Sequence, residues 1–188
     1  MPGRLLREAL ERMPPPINHR TGGIYRIVPV DEEFVGGPEA IAAIVECCNQ
    51  PLIYDLLFAE RCAGVPYSES DAAGFLDWCR AGWREGTHFP FVLCDAGGTV
   101  AGAMDIKSAE RPSAEIGYWL SADHSGVMTN AVRALAMMAR HAGYRGLHAL
   151  VRPENDRSHR VLQRAGFHPA GRAERGGKVY DRYALALG

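Results

Sequence analysis

Apolar positions along this chain switch between helical and alternating spacing, and the switches mark out its elements. Leu5, Leu6, Ala9, Leu10 and Met13 recur at helical spacing, so Gly3 to Met13 reads as an amphipathic helix. Pro14-Pro15-Pro16 stops it, because proline lacks an N–H and restricts the residue before it. Gly22 to Val30 carries β-branched residues and reads as a strand. Pro38 to Asn49 reads as a helix with Ile41, Ile44, Val45 and Cys48 on one face. Pro51 to Pro66 fits either a short helix or a loop laid over the core. Ser68 or Ser70 is placed to cap a helix running to about Trp83, with Phe75, Trp78, Cys79 and Gly82 as its expected buried stripe.

Hairpin spacing then sets in. Phe89 to Cys94 and Thr99 to Lys107 flank the turn signal Asp95-Ala96-Gly97-Gly98, and Ala114 to Leu120 follows Glu110-Arg111-Pro112. A helix from about Thr129 to Ala142 turns Val132, Leu135, Ala136 and Ala139 inward. Leu147 to Val151 is a strand, Asp156 to Ala165 a helix ending at Gly166, and Phe167 to Ala173 and Val179 to Leu187 are closing strands. This order predicts a mixed, mostly antiparallel α/β sheet with helices on both faces. The 188 residues suit a single domain over 1–188, with 1–21 as an N-terminal helix and proline-rich lead-in.

Composition narrows the function. Net charge is −1, from 21 basic and 22 acidic residues with no basic stripe, which argues against a nucleic-acid partner. The N-terminal helix has charges scattered among its apolar residues, unlike a signal peptide, and no apolar run approaches a membrane span. The 5 cysteines form no CxxC pair and suit a reducing compartment, so a cytoplasmic location without a membrane partner is expected. No Cys/His cluster has zinc-ligand spacing, and no metal is expected.

Two segments carry chemistry. Ser121 to Ala131 (SADHSGVMTNA) joins a strand to a helix, leaving backbone N–H groups at the positive end of a helix dipole, where phosphate oxygens bind. Downstream, Asn155 to Phe167 (NDRSHRVLQRAGF) starts a helix and ends it at Gly-Phe. Together they read as a site for coenzyme A. Each has a plainer reading: a β–α connection capped by Ser or Thr, and an Asn N-cap followed by Asp in the first turn.

Taken in order, Ala114-Glu115-Ile116-Gly117-Tyr118-Trp119-Leu120, Met128 to Leu135, Asn155-Asp156-Arg157-Ser158, Val161-Leu162 and Ala165-Gly166-Phe167 resemble the GNAT acyltransferase superfamily. The likeness is to its RimJ/RimL-like branch and runs from Tyr25 to Leu187. It implies a GNAT-like sheet with splayed central strands and acetyl transfer from acetyl-CoA to a primary amine. The acceptor it implies is a small amine or a protein N-terminus, and a homodimer stays open. By the same likeness Trp119, Leu120, His124, Ser125, Gly126, Val127, Met128, Thr129, Asn155 and Ser158 border the donor. Ser158 is then the candidate acid for the departing thiolate. Glu115 is the candidate base for the amine, against an equal reading as a structural charge paired with an arginine; Asp105 is the reserve base. His124 is expected at phosphate or in solvent. Tyr54, Tyr67, Trp83 and Tyr118 are open between an acceptor pocket and the core. One departure stands out: the family's turn carries two glycines, and only Gly126 remains in a shorter turn here. A non-catalytic CoA-binding or protein-interaction module on the same scaffold is therefore the alternative.

Overall fold

A computed structural model describes residues 2–188. The helices are α1 (Pro2–Glu11), α2 (Pro38–Cys48), α3 (Pro51–Ile53), α4 (Glu69–Glu85), α5 (Met128–His141) and α6 (Asp156–Arg164). The strands are β1 (Arg26–Pro29), β2 (Phe89–Cys94), β3 (Val100–Ile106), β4 (Ala114–Leu120), β5 (Gly146–Val151), β6 (His168–Arg175) and β7 (Lys178–Ala186). They form one sheet of order β1-β2-β3-β4-β5-β7-β6, antiparallel throughout except between β4 and β5.

The alternation along β2 and β3 builds a core on each face of this sheet. Phe89, Phe91, Leu93, Met104 and Ile106 pack with Leu6 of α1, Val132 and Leu135 of α5 and Leu162 of α6. Val92, Cys94, Val100 and Ala103 face the other way, against Ile44 and Cys48 of α2 and Leu76 and Cys79 of α4. Both faces are buried, so β2 is apolar at every position instead of alternating.

Local chemistry sets the helix ends. Ser68 and Asp71 form a reciprocal capping box at the start of α4, and Gly86, at φ 68°, closes it in the left-handed region. The buried stripe of α4 is Ala72, Leu76, Cys79 and Gly82. Trp78, expected within it, lies one position off that face and is 43% exposed. Pro51 to Pro66 resolves as α3 running into a π-helical turn, Tyr54–Phe58, and then an irregular loop. Strand β1 is shorter than its β-branched run. Ile24 makes only an isolated bridge to Ile17, because residues 16–25 fold back on themselves, with Asn18 N–H bonded to Gly23 O and Tyr25 N–H to Pro16 O. No single helix among the described residues is long and apolar enough to cross a membrane.

Candidate active site

The two parallel strands separate almost as soon as they meet. Only Ala114↔Leu147 and Glu115↔His148 pair, whereas β5 follows β7 through its full length and β4 follows β3. Lys107 N–H donates to Glu115 O and Ser121 N–H to Ala101 O, so the odd-numbered residues of β4 face β3 in the ladder. Tyr118 and Leu120 therefore turn their backbone N–H and C=O groups into the gap left by β5. A strand edge of this kind, flanked by protein, offers fixed donors to a carbonyl oxygen.

Helix α6 covers one side of the gap. Asn155 caps it, its Oδ1 accepting from Ser158 N–H at 3.1 Å. One turn on, Ser158 Oγ lies 2.6 Å from Tyr118 Oη. Burial pushes the Tyr118 phenol above its ordinary pKa, so the pair is neutral at physiological pH. Together with α3 and the 121–127 turn, these elements enclose a cavity of about 530 Å³. Trp119, Leu120, Ser125, Gly126, Met128, Thr129, Asn155 and Ser158 all line it.

The turn itself is differently built from its sequence reading. Its first part, Ala122–His124, is a single 3₁₀ turn, closed by Ser125 Oγ donating to Ala122 O at 2.8 Å. Neither Ser nor Thr caps α5; the cap position is Val127, with no side-chain hydrogen bond. The N–H groups of Gly126, Val127, Met128 and Thr129 have no acceptor among the described residues, which leaves the positive end of a 14-residue helix available to an anion. His124 and Val127 do not line the cavity. His124 Nδ1 bonds Tyr25 Oη at 2.7 Å and the Val127 side chain is fully buried, so what Val127 presents to an anion is its backbone N–H.

The lead-in segment holds the turn in place. Asn18, 1% exposed, donates from Nδ2 to Ser125 O at 3.2 Å and accepts from Arg20 N–H at 2.9 Å. A Cβ at Gly126, whose φ is 117°, would meet Asn18 Oδ1 at 2.3 Å. The glycine is thus required by its own backbone and by Asn18. On the opposite side Gln50 accepts from Ala122 N–H at 2.7 Å and donates to Ser121 Oγ at 2.9 Å.

Charge is the feature that composition hid. Arg20, Arg157, Arg160 and Arg164 line the cavity with no carboxylate among the lining residues. None of the four has an ion-pair partner among the described residues. A near-neutral chain has concentrated cations where a phosphate-bearing ligand would lie. Three of them recur at positions 157, 160 and 164, one face of α6, a stripe visible in the sequence. Arg20 gave no such signal, since only the fold-back of residues 16–25 brings it to the site.

A family model described as an acetyltransferase (GNAT) domain matches residues 38–168. The chain belongs to the GNAT acetyltransferase family. Its fold is similar to that of Mycobacterium smegmatis RimJ in complex with CoA-disulfide, at 23% identity and a TM-score of 0.69, over 87% of this chain and 82% of that one. RimL, a ribosomal L7/L12 alpha-N-protein acetyltransferase in complex with coenzyme A, shares 20% identity at a TM-score of 0.69, over 86% of this chain and 93% of that one. The aminoglycoside acetyltransferase AAC(6')-Ib, solved with acetyl-CoA, shares 16% identity at a TM-score of 0.66, over 86% and 93% of the two chains. No curated protein matches the sequence.

A second cavity of this GNAT domain, about 890 Å³, opens between α4 and the sheet. Tyr118, Trp119 and Leu57 line both cavities, so the wall between them is the gap-facing end of β4 and the π turn. Asp105 lines the second cavity, its Oδ1 accepting from Gly117 N–H at 2.7 Å. Burial raises its pKa more than Lys107 and the Gly117 N–H lower it. Of the aromatics considered for an acceptor pocket, Tyr67 and Tyr118 line this cavity; Tyr54 and Trp83 do not. Tyr54 Oη instead bonds Val65 O at 2.5 Å, and Trp83 Nε1 bonds Pro90 O at 2.7 Å.

Glu115, expected as the base, lines neither cavity. Lys107 Nζ sits 2.8 Å and Arg175 Nη2 2.5 Å from its oxygens, with His148 Nε2 at 3.9 Å. Burial works to raise its pKa, yet the Arg175 and Lys107 contacts prevail and hold it at about 2. A carboxylate so stabilised as its anion is a poor proton acceptor, which favours the structural reading of Glu115 over the catalytic one. Among the described residues no three His, Cys, Asp or Glu side chains are grouped to hold a metal ion.

Proposed function

We propose that this chain transfers an acetyl group from acetyl-CoA to the primary amine of a small molecule or protein N-terminus. The observation that carries the reading is Tyr118, which lines both cavities with its hydroxyl 2.6 Å from Ser158 Oγ. The donor fits the first cavity by charge: four unpaired guanidiniums and the free N–H groups of α5 suit a pyrophosphate and a further phosphate. The loss of the family's other glycine does not remove those N–H groups, which favours a working site over a non-catalytic one.

The donor supplies an activated acyl carbon. Arg20, Arg157, Arg160 and Arg164 bind its phosphates, and Asn155 faces its arm. The Tyr118 and Leu120 N–H groups stabilise the charge that develops on the carbonyl oxygen. As the amine nitrogen bonds the carbonyl carbon and the C–S bond breaks, the Ser158–Tyr118 hydroxyl pair gives a proton to the sulfur. The proton shed by the amine passes to Asp105, directly or through water, and from there through water back to the hydroxyl pair, which ends neutral. Burial makes Asp105 a stronger base than an ordinary aspartate, which suits that role. Products are an amide and the free thiol.

Thermal melting with and without CoA, then thiol release on adding an amine, tests the reading. A ligand at 100 times its Kd stabilises by about 2.7 kcal/mol. Stabilisation with amine-dependent release supports the enzyme; stabilisation without release over a broad amine panel would favour the non-catalytic module.

A further inference from the structure

The second cavity has a composition that selects among amines. Phe58, Tyr67, Phe75, Trp78, His88, Tyr118 and Trp119 line it, seven rings around about 890 Å³. Most are held by core packing: Phe58 and Tyr67 meet at 4.7 Å, and Phe75, Tyr67 and Trp119 belong to the α2–α4 core. Trp78 is different. It stacks on His88 at 4.1 Å, the two planes 27° apart, yet lies outside either core and remains 43% exposed. His88 is fixed beneath it by a 3.1 Å bond to Trp78 O and a 2.9 Å bond to Thr87 Oγ1. A flat, rigid, partly exposed ring pair at a cavity wall is a stacking platform that folding does not require.

The charges leave room for a single cation. Asp71 caps α4, accepting from Ser68 N–H at 2.9 Å and Ser68 Oγ at 2.6 Å, and its charge is offset by the Arg61 guanidinium, which is held over the Phe58 and Tyr67 rings at 5.1 and 5.6 Å. Lys107 is committed to Glu115. What remains without a cation is the Asp105 carboxylate at the β3–β4 floor. One ammonium can pair with Asp105. Every further ammonium would be unpaired beside Arg61, at a cost that rises as water is excluded.

We propose that the acceptor is an aromatic monoamine, whose ring stacks on the Trp78–His88 platform while its single amine is presented at Asp105 and Tyr118. This rests on the acetyl-transfer reading above and narrows its acceptor. Aliphatic amines forgo the stacking, and polyamines or amino sugars carry charges this cavity does not compensate.

The experiment compares tryptamine, n-hexylamine and spermidine as acceptors with acetyl-CoA, and follows melting with CoA and with tryptamine separately. The ring contact with Trp78 should favour tryptamine over hexylamine in kcat/KM by roughly 2- to 10-fold, with spermidine poorest. Trp78→Ala should bring the tryptamine-to-hexylamine ratio towards one while CoA still stabilises the variant. Equal values for the three amines, or a preference for spermidine, would overturn the proposal. So would stabilisation by CoA with neither turnover of nor stabilisation by tryptamine, an outcome that leaves the donor site standing. Stabilisation by tryptamine that Trp78→Ala removes, with no response to CoA, would sink the donor reading and keep this one.

Discussion

Tyr118 Oη and Ser158 Oγ, 2.6 Å apart, are the polar link between β4 and α6 across the gap where the parallel strands part. The phenol also approaches Ser158 O at 3.3 Å. Either hydroxyl can be the donor, so the two act as one proton reservoir beside the departing sulfur. Ser158→Ala or Tyr118→Phe should each lower kcat by about 10²-fold, with little change in CoA affinity. Because they share one function, the double variant should lose hardly more than either single one. Rate measurements on all four proteins check this. Full multiplication of the two losses would assign them separate tasks.

Glu115 should behave as a stabilising charge. Its pKa, held at about 2, lies below the ordinary value of 4.5, so it contributes stability that is present above the unfolded value and lost as pH falls towards 2. The carboxylate is 12% exposed, but Arg175 and Lys107 are far more so, which discounts the contribution to roughly 1–2 kcal/mol. Glu115→Gln should therefore lower Tm at pH 7, narrow the difference from wild type below pH 4, and leave the acidic limb of kcat unmoved. A changed limb with an unchanged Tm would restore the catalytic role.

Asp105 makes the opposite case. Its pKa is raised by burial, so the acidic limb of the rate profile should lie above the ordinary aspartate value of about 3.9. Asp105→Asn keeps an oxygen for Gly117 N–H and removes the base. It should abolish that limb and cut kcat by about 10²-fold or more. A pH–rate profile on the folded variant that overlays wild type would remove Asp105 from the mechanism.

Element order and the pairing of two long apolar runs by a Gly-Gly turn were legible in the sequence because they depend on local spacing. The β4–β5 gap was legible only through family likeness, since nothing in Ile116 to Leu120 records where β5 departs. Trp78 misled because the helical spacing of Trp78 and Gly82 fits a stripe as well as that of Ala72, Leu76 and Cys79 does. Glu115 was undecidable by the same token: its partners Lys107 and Arg175 come from a neighbouring strand and from the far hairpin, 60 residues away. The role of Asn18 and Arg20 depended on the fold-back of residues 16–25, which no apolar period announces.

The arginine stripe of α6 yields the last prediction. Arg157, Arg160 and Arg164 face the donor cavity from one helix, and Arg20 faces it from the lead-in segment. A hydrogen bond to a charged group contributes about 1.5–3 kcal/mol, so losing one phosphate contact should raise the CoA Kd by about 10-fold or more. Arg160→Gln, exposed and without an ion-pair partner among the described residues, should leave Tm in the absence of ligand unchanged. Salt screens the surviving contacts less than it screened the full set, so the fall in affinity between low and high ionic strength should be shallower in the variant. Calorimetric titration of CoA at two salt concentrations measures both effects. Wild-type affinity together with a wild-type salt response would show that the stripe does not meet the phosphates, and would transfer their binding to the α5 N–H groups alone.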